Sequence, residues 1–287
     1  MSSTRSRVRP APATSQASEV PSVPLSEAGL VLLGHGSTRH DDDAILRQAD
    51  RLRRRKLFAE VTAGFVKGTP DLRAAVGAQR ADSVYLVPCF MADGYYTRRA
   101  IPDSLGLAGP ISVTTESRSL YYCRPIGTSP ALAEIVRRRA VGTCREAGMP
   151  ASDATVLLIA HGSPTAAGSF DAIRTIEDRL RWSGGFGDVR TAFLEESPEV
   201  ADALSELAGR DVVAVGILAC EGVHGAHDIP RLIAGSGNVR YAGVIGSGPG
   251  ALSLVLDRVR DFDRRVLGIT RPSPRWRETC RVAARAT

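Results

Sequence analysis

An internal duplication constrains the fold of this 287-residue sequence more than any other feature. Five short blocks recur in the same order, four at a spacing of 126 to 128 residues and the last at 119. The recurrence predicts two copies of one module of ~120 residues, over 29–150 and 151–267, between a disordered polar tail (1–28) and a basic tail (268–287). Equivalent positions in the blocks are His35 and His161, Pro70 and Pro198, Val84 and Val212, Ile101 and Ile229, and Gly127 and Gly246.

Each copy alternates short apolar runs with helical patterns. The runs at 30–33, 156–160 and 212–219 indicate buried strands, and the segments 43–55 and 172–182 have the periodicity of helices. Strands that alternate with helices favour a parallel sheet. We therefore predict an α/β fold with two similar modules, each a small parallel sheet with helices on both faces, and a cleft between them. Ligands of such sheets bind at the carboxyl ends of the strands.

Composition excludes several classes of protein. With 43% hydrophobic and 24% charged residues the chain is neither disordered nor fibrous. No apolar run approaches the ~20 residues that span a bilayer, and the N-terminus lacks the apolar segment of a secretory signal. The five cysteines are odd in number and form no C-x-x-C pair, which favours a reducing cytoplasm over a disulfide framework.

The charge balance indicates an anionic partner. The net charge is +6, from 37 basic and 31 acidic residues, and nearly all the basic residues are arginines. Arginine suits carboxylates and phosphates, so a polyanionic small molecule and a nucleic acid are both compatible with this excess. Aromatic residues are only 5%, and no nucleic-acid-binding motif occurs, which favours the small molecule.

Histidines mark the strand ends where a ligand is expected. His35 and His161 follow the first strand of each copy, and His224 and His227 follow the run at 212–219. Glu195 stands at the end of a third strand. Two histidines and a carboxylate form a suitable set for a divalent metal, and so small a set leaves positions open for release. His40 is better interpreted as a surface residue, and Gly36 and Gly162 as residues of a tight turn.

The order of these motifs along the chain resembles that of a known protein family. A strand followed by H-G-S, then a Phe-x-Glu-x-x-Pro block, then G-x-H-x-x-x-D-I-P resembles the class II chelatases, specifically the CbiX-like sirohydrochlorin cobaltochelatases and ferrochelatases of the long, two-module type. The resemblance covers 29 to about 267 and is complete in the second copy. There the blocks are His161-Gly162-Ser163, Phe193-Leu194-Glu195-Glu196-Ser197-Pro198 and Gly222-Val223-His224-Gly225-Ala226-His227-Asp228-Ile229-Pro230.

The first copy departs from the family pattern. Its H-G-S block is intact, but Lys67 occupies the glutamate position and Tyr96 the second histidine position. The resemblance therefore implies a degenerate metal site in the first copy and a complete one in the second. The implied catalytic and metal-binding residues are His161, His224 and Glu195. The implied substrate-binding residues are His35, Ser37, Tyr96, Arg98, Arg99 and Ser163.

The resemblance implies insertion of cobalt or ferrous iron, with nickel as a further alternative, into sirohydrochlorin or a related tetrapyrrole in cobalamin or siroheme biosynthesis. A neutral histidine can take a pyrrole proton because its pKa lies near working pH. The pattern G-x-x-x-x-G-K-[ST] does not occur, so we expect no nucleotide. We expect no nucleic-acid or membrane partner, and a monomer, because two copies already supply the twofold that a single copy would reach by dimerising.

Three alternatives remain open from the sequence alone. A carrier or sensor that binds metal or tetrapyrrole without turnover is compatible with the loss of two ligands from one copy. Nucleic-acid binding is compatible with a pI near 9.4. A protoporphyrin ferrochelatase is related in fold, but such enzymes have more chain per module and lack this clear duplication.

Overall fold

Two sheets form the framework of the protein, one for each sequence copy, and the central strands of both sheets are parallel. They are seen in a computed structural model that describes residues 9–10, 23–36, 43–162 and 167–270. No helix among these residues is long and apolar enough to cross a membrane. The sheets confirm the predicted α/β fold.

Among the described residues, the sheet of the first copy has six strands, of which the first lies in the segment that precedes the copy. In chain order its elements are β1 (Arg9–Pro10), β2 (Gly29–Gly34), α1 (Asp43–Arg54), β3 (Glu60–Phe65), α2 (Leu72–Gly77), β4 (Ser83–Pro88), a π-helical turn (Tyr96–Ala100), α3 (Ile101–Leu105), β5 (Ile111–Val113), β6 (Ser119–Tyr122), a 3-10 turn (Ile126–Thr128) and α4 (Leu132–Glu146). The strand order is β1-β5-β6-β4-β2-β3. Neighbours among β6, β4, β2 and β3 are parallel, while β5 runs antiparallel to β6 and to β1.

The second copy repeats the parallel part of this pattern. Its elements are β7 (Thr155–Ala160), α5 (Ala167–Ser183), β8 (Asp188–Phe193), α6 (Val200–Glu206), β9 (Val212–Ile217), a π-helical turn (His224–Asp228), α7 (Ile229–Ile233), β10 (Val239–Val244), α8 (Pro249–Phe262) and a final π-helical turn (Asp263–Leu267). The order β10-β9-β7-β8 is parallel throughout. Within the described residues this sheet has no counterpart of β5, which accounts for the shorter loop predicted before the last block.

The central strands are continuous apolar runs because helices cover both faces of each sheet. All six residues of β2, β4, β7 and β9 are buried. The largest cluster of buried side chains includes residues of both sheets, and each copy also has a smaller core of its own. The repeated Ile-Pro pair opens α3 and α7, since proline is well suited to the first turn of a helix.

The last helix of each copy crosses to the sheet of the other copy. The helix α4 packs on α5, β9 and β10, and Arg139 donates to the carbonyl oxygens of Ala242 and Ser247 at 2.9 and 3.1 Å. The helix α8 packs on β4 and α1. There the Ser129 hydroxyl donates to Asp257 at 2.6 Å. The boundary predicted at 150/151 thus separates the two sequence copies, but each sheet is covered by a helix from the other copy.

The prediction of a disordered tail over 1–28 is wrong for two segments, which have regular structure. Arg9–Pro10 pairs antiparallel with β5, and Leu25–Glu27 forms a 3-10 turn directly before β2. Both segments use backbone hydrogen bonds that a composition-based prediction does not detect. Residues 271–287 lie outside the described part of the chain.

Candidate active site

The loops at the carboxyl ends of both sheets line a single cleft of about 1240 Å³. This volume exceeds the roughly 300–1,000 Å³ that is typical of sites for drug-sized ligands. The first copy contributes His35, Lys67, Tyr96 and Arg98 to its walls. The second contributes the loops after β7 and β9, including both histidines predicted to act there. The cleft therefore lies where the topology of parallel sheets places a ligand.

Three predicted residues come together in the second copy. His161, Glu195 and His224 each offer one ligand atom, and these atoms lie within 4.8 Å of one another. The two imidazole rings meet edge to face, with centroids 4.7 Å apart. The Nδ1 atom of His161 lies 3.5 Å from Glu195 Oε2. The cluster forms because β8, β7 and β9 are neighbours in one sheet, and all three residues follow the ends of those strands.

Hydrogen bonds fix the tautomers of both histidines. The Nδ1 atom of His161 lies 2.9 Å from the carbonyl oxygen of Gly162, which can only accept, so Nδ1 carries the proton. The Nδ1 atom of His224 lies 2.8 Å from a carboxylate oxygen of Asp228, which accepts in the same way. Both rings consequently keep an Nε2 lone pair available for a metal or a proton.

Asp228 is a further candidate functional residue, because its carboxylate contacts His224. It lies four residues after His224 within one π-helical turn, so the two side chains meet on one face. A carboxylate on the far nitrogen orients a metal-binding imidazole and raises its basicity. The sequence signal for this contact is the spacing G-x-H-x-x-x-D, which puts a carboxylate four residues after the histidine.

A glycine after each first-strand histidine allows two loops to approach closely. Gly36 and Gly162 have φ of +73° and +80°, which L side chains rarely adopt. A Cβ atom on Gly162 would lie 2.8 Å from Glu196 Cγ. Beside it, the Glu195 amide donates to the carbonyl oxygen of His161 at 3.0 Å. The predicted tight turn therefore also holds His161 next to Glu195.

The first copy retains the geometry of the cluster but not its ligands. The rings of His35 and Tyr96 meet edge to face at 4.7 Å, as His161 and His224 do. The Nε2 atom of His35 lies 3.0 Å from the Tyr96 hydroxyl. Lys67, at the glutamate position, lines the cleft with them.

Some of the predicted substrate-binding residues line the cleft, and others are not among its described lining residues. His35, Tyr96 and Arg98 line the cleft, and Arg98 pairs with Asp93 at 3.1 Å. Arg99 is exposed and is not among the described residues of the cleft wall, so its role in substrate binding stays a prediction. Ser37, Ser163 and His40 lie outside the described residues.

One cysteine of the cleft, Cys89, is unsuited to bind a metal in its resting form. Cys89 and Cys220 both line the cleft. Burial and, to a smaller extent, the neighbouring Cys220 raise the pKa of the Cys89 thiol to about 12. A protonated thiol is a poor metal ligand, so the histidine-carboxylate cluster is the better candidate.

A family model described as CbiX matches the chain twice, over residues 29–143 and 155–262. The chain belongs to the CbiX family. The two matches coincide with the two sequence copies, and they confirm both the duplication and the resemblance drawn from the motifs.

Individual relatives of this CbiX-family chain agree in fold. It is similar to the probable sirohydrochlorin cobaltochelatase of Halobacterium salinarum, with 30% identity over 266 residues, 81% of this chain and 90% of that protein. A multi-domain protein of Deinococcus radiodurans with structural similarity to chelatases matches with a TM-score of 0.69 and 28% identity. That match covers 80% of this chain but only 54% of the longer protein. SirB from Bacillus subtilis with Fe3+ matches with a TM-score of 0.66 and 21% identity, covering 84% and 97% of the chains.

Proposed function

We propose that this chain inserts a divalent metal, cobalt or ferrous iron, into sirohydrochlorin or a related tetrapyrrole, as a step of cobalamin or siroheme biosynthesis. The proposal rests on one observation: His161 and His224 line a cleft large enough for a macrocycle, and Glu195 forms a cluster of possible metal ligands with them. The cobaltochelatase and the iron-bound SirB among the relatives support the two metals. Nickel is also compatible with these ligands.

The three ligands suit a metal that must be handed over. Two Nε2 atoms and one carboxylate bind a divalent ion and leave coordination positions for the ring nitrogens of the tetrapyrrole. The side chains of His161 and Glu195 are about half exposed, at 46% and 52%, so the ion can enter from solvent and exchange ligands. As the ring nitrogens replace the imidazoles, each freed Nε2 atom can take up a proton.

The opposite wall suits the acidic periphery of the substrate. Lys67 and Arg98 place cationic groups on the first-copy side of the cleft. We propose that they contact the carboxylates of the tetrapyrrole, since charge-assisted hydrogen bonds are stronger than neutral ones. His35 and Tyr96 belong to the same wall, and Ser37 and Ser163 complete the proposed set from their place in the H-G-S blocks.

Further parts of the proposal concern the state of the protein. We propose that it acts as a monomer and without a nucleotide, because one chain already supplies both walls of the cleft. The four described cysteines are free, which suits a reducing compartment such as the cytoplasm. We propose no nucleic-acid partner.

Anaerobic absorbance of sirohydrochlorin with Co²⁺ or Fe²⁺, at catalytic amounts of protein, tests this function. We expect multiple turnovers by the wild type and a loss of about 100-fold or more in His161→Ala and His224→Ala. His227→Ala is the matched control, because this histidine is exposed and is not among the cleft-lining residues. Metal and tetrapyrrole binding without turnover would favour a carrier, and equal rates in all variants would contradict the proposed site.

A further inference from the structure

The pair formed by His35 and Tyr96 has a defined hydrogen-bond direction. The Nδ1 atom of His35 lies 2.7 Å from the carbonyl oxygen of Gly36, an acceptor only, so Nδ1 carries the proton. Its Nε2 atom is then an acceptor, and the Tyr96 hydroxyl 3.0 Å away must donate to it. The phenol oxygen of Tyr96 consequently retains lone pairs that can accept a further proton.

This pair is poorly suited to hold a metal. Both nitrogens of His35 are engaged, one with Gly36 and one with Tyr96. The neighbouring position that carries Glu195 in the second copy carries Lys67 here, whose charge repels a cation. The pair is nevertheless held firmly, because Phe90 stacks on the Tyr96 ring with centroids 5.8 Å apart. A rigid hydrogen-bonded pair on the cleft wall is thus free for chemistry other than metal binding.

Metal insertion creates a need for a base that is not occupied by the metal. The ring must lose two N–H protons, and the Nε2 atoms of His161 and His224 can accept them only after the ion has left, so a proton that is lost earlier needs another acceptor. We propose that the pair of Tyr96 and His35 accepts a ring proton from the first-copy side of the cleft, an inference that rests on the proposed function. The pair then acts while the metal is still held by the second copy.

The ring proton is passed on through Tyr96 to His35, and each bond that breaks is matched by one that forms. A ring N–H bond breaks and its proton bonds to the Tyr96 oxygen, while the original Tyr96 proton bonds to His35 Nε2. The electron pair left on the ring nitrogen binds the metal, and the imidazolium of His35 donates both its protons to the Tyr96 oxygen and the Gly36 carbonyl. His35 is partly exposed, so it can return the proton to solvent before the next cycle.

Tyr96→Phe tests the relay, with Tyr121→Phe as the matched control. Phenylalanine keeps the ring that stacks on Phe90 and removes only the hydroxyl. We expect the single-turnover rate of Co²⁺ insertion into sirohydrochlorin to fall about 100-fold. We expect the dissociation constants of Co²⁺ and of sirohydrochlorin to stay within twofold. Tyr121 is buried in the same copy, its hydroxyl bonds to that of Ser83, and it is not among the described residues that line the cleft, so its variant should insert at the wild-type rate.

A second variant tests whether the two residues act as a unit. His35→Gln should slow insertion as Tyr96→Phe does, and the double variant should be no slower than either, because both remove the same relay. A wild-type rate in Tyr96→Phe would overturn the inference and leave the proposed function intact. Weaker sirohydrochlorin binding at an unchanged rate would also overturn it, in favour of a carboxylate contact. No turnover by the wild type with either metal would overturn both.

Discussion

At the residue scale, the two histidines of the second copy differ in what holds Nδ1. His161 donates to a neutral carbonyl and His224 to the carboxylate of Asp228. A charged acceptor raises the basicity of the far nitrogen more than a neutral one does. We therefore expect His224 to bind the metal more tightly and His161 to release it first. The same reasoning explains why a family motif with histidines at equivalent strand ends also carries an aspartate four residues later.

Replacing Asp228 by asparagine should weaken metal binding. The amide oxygen still accepts from His224, but the negative charge is lost, and loss of such a partner typically costs 10–100-fold in metal affinity. Titration of the protein with Co²⁺, followed by visible absorbance, measures the dissociation constant. Asp202→Asn, at an exposed position on α6, is the control. An unchanged constant in Asp228→Asn would show that this carboxylate does not support the ligand.

Replacing Gly162 by alanine should destabilise the protein and disturb the metal cluster. A left-handed φ costs an L residue roughly 1–2 kcal/mol, and the added Cβ would also displace Glu196. Gly142→Ala is the control, since this glycine lies within α4 with nothing within 4 Å of an added Cβ. Alanine there should stabilise by roughly 0.5–1 kcal/mol. Urea unfolding compares the two, and equal free energies of unfolding would contradict the argument.

Strand-end placement was enough to predict His161, Glu195 and His224, because the ends of neighbouring parallel strands converge. It could not distinguish Arg98, which lines the cleft, from Arg99, which is not among the described lining residues, because the side chain that faces the cleft depends on the local helical geometry. Nor could it give Asp228 a role, since the contact with His224 depends on the turn being helical at that point.

At the scale of elements, a tyrosine from the neighbouring strand holds each of the two cleft-side π-helical turns. The Tyr241 hydroxyl donates to the carbonyl oxygen of Gly225 at 3.1 Å, and the Tyr122 hydroxyl to that of Thr97 at 2.7 Å. Burial raises the pKa of Tyr241 to about 12 and that of Tyr122 still further, so both hydroxyls stay protonated and donate. These bonds satisfy carbonyl groups within turns that lack the regular pattern of an α-helix.

Tyr241→Phe and Tyr122→Phe form a matched pair that separates stability from function. Each removes one partly buried hydrogen bond, so each should lower the free energy of unfolding by about 1–3 kcal/mol. Only the turn supported by Tyr241 carries His224, so only Tyr241→Phe should weaken Co²⁺ binding. Thermal unfolding and Co²⁺ titration of both variants check this. Equal loss of metal affinity in the two would indicate a general effect of destabilisation instead.

The strands were predictable because a sheet covered on both faces selects unbroken apolar runs, as at 30–33 and 156–160. The π-helical turns were not, since a five-residue segment has no periodicity to detect. The strand β5 was visible only as a longer loop before Gly127. The crossing of α4 and α8 was also hidden, because a helix has the same apolar face whichever sheet it covers.

At the scale of the whole molecule, the two copies share one geometry but have different chemistry. The ring pairs are both separated by 4.7 Å and differ in interplanar angle by only a few degrees, 86° and 84°. The differences lie in Lys67 and Tyr96, which replace a carboxylate and an imidazole. The first copy therefore keeps the backbone geometry of the candidate metal cluster without its ligands.

Lys67→Glu combined with Tyr96→His should restore a metal site in the first copy. Two imidazoles and a carboxylate would then meet in both copies, and the number of Co²⁺ ions bound should rise from one to two. The new site lacks a counterpart of Asp228, because Ala100 stands there, so we expect it to bind 10–100-fold more weakly. Equilibrium dialysis measures the stoichiometry. Each single variant is the control and should bind one ion; a single ion in the double variant would contradict the expectation.

The exchange of α4 and α8 also bears on how the two walls of the cleft can change. In a symmetric pair of identical chains, any substitution appears on both walls at once, so a lysine that suits one side is imposed on the other. Here the two walls are formed by different segments of one polypeptide, so each can be substituted separately. The helices α4 and α8 pack on the opposite copy, and these contacts hold the two walls together independently of the side chains in the cleft. A cleft built in this way can be altered on one side at a time, which is the condition for its walls to take on different tasks.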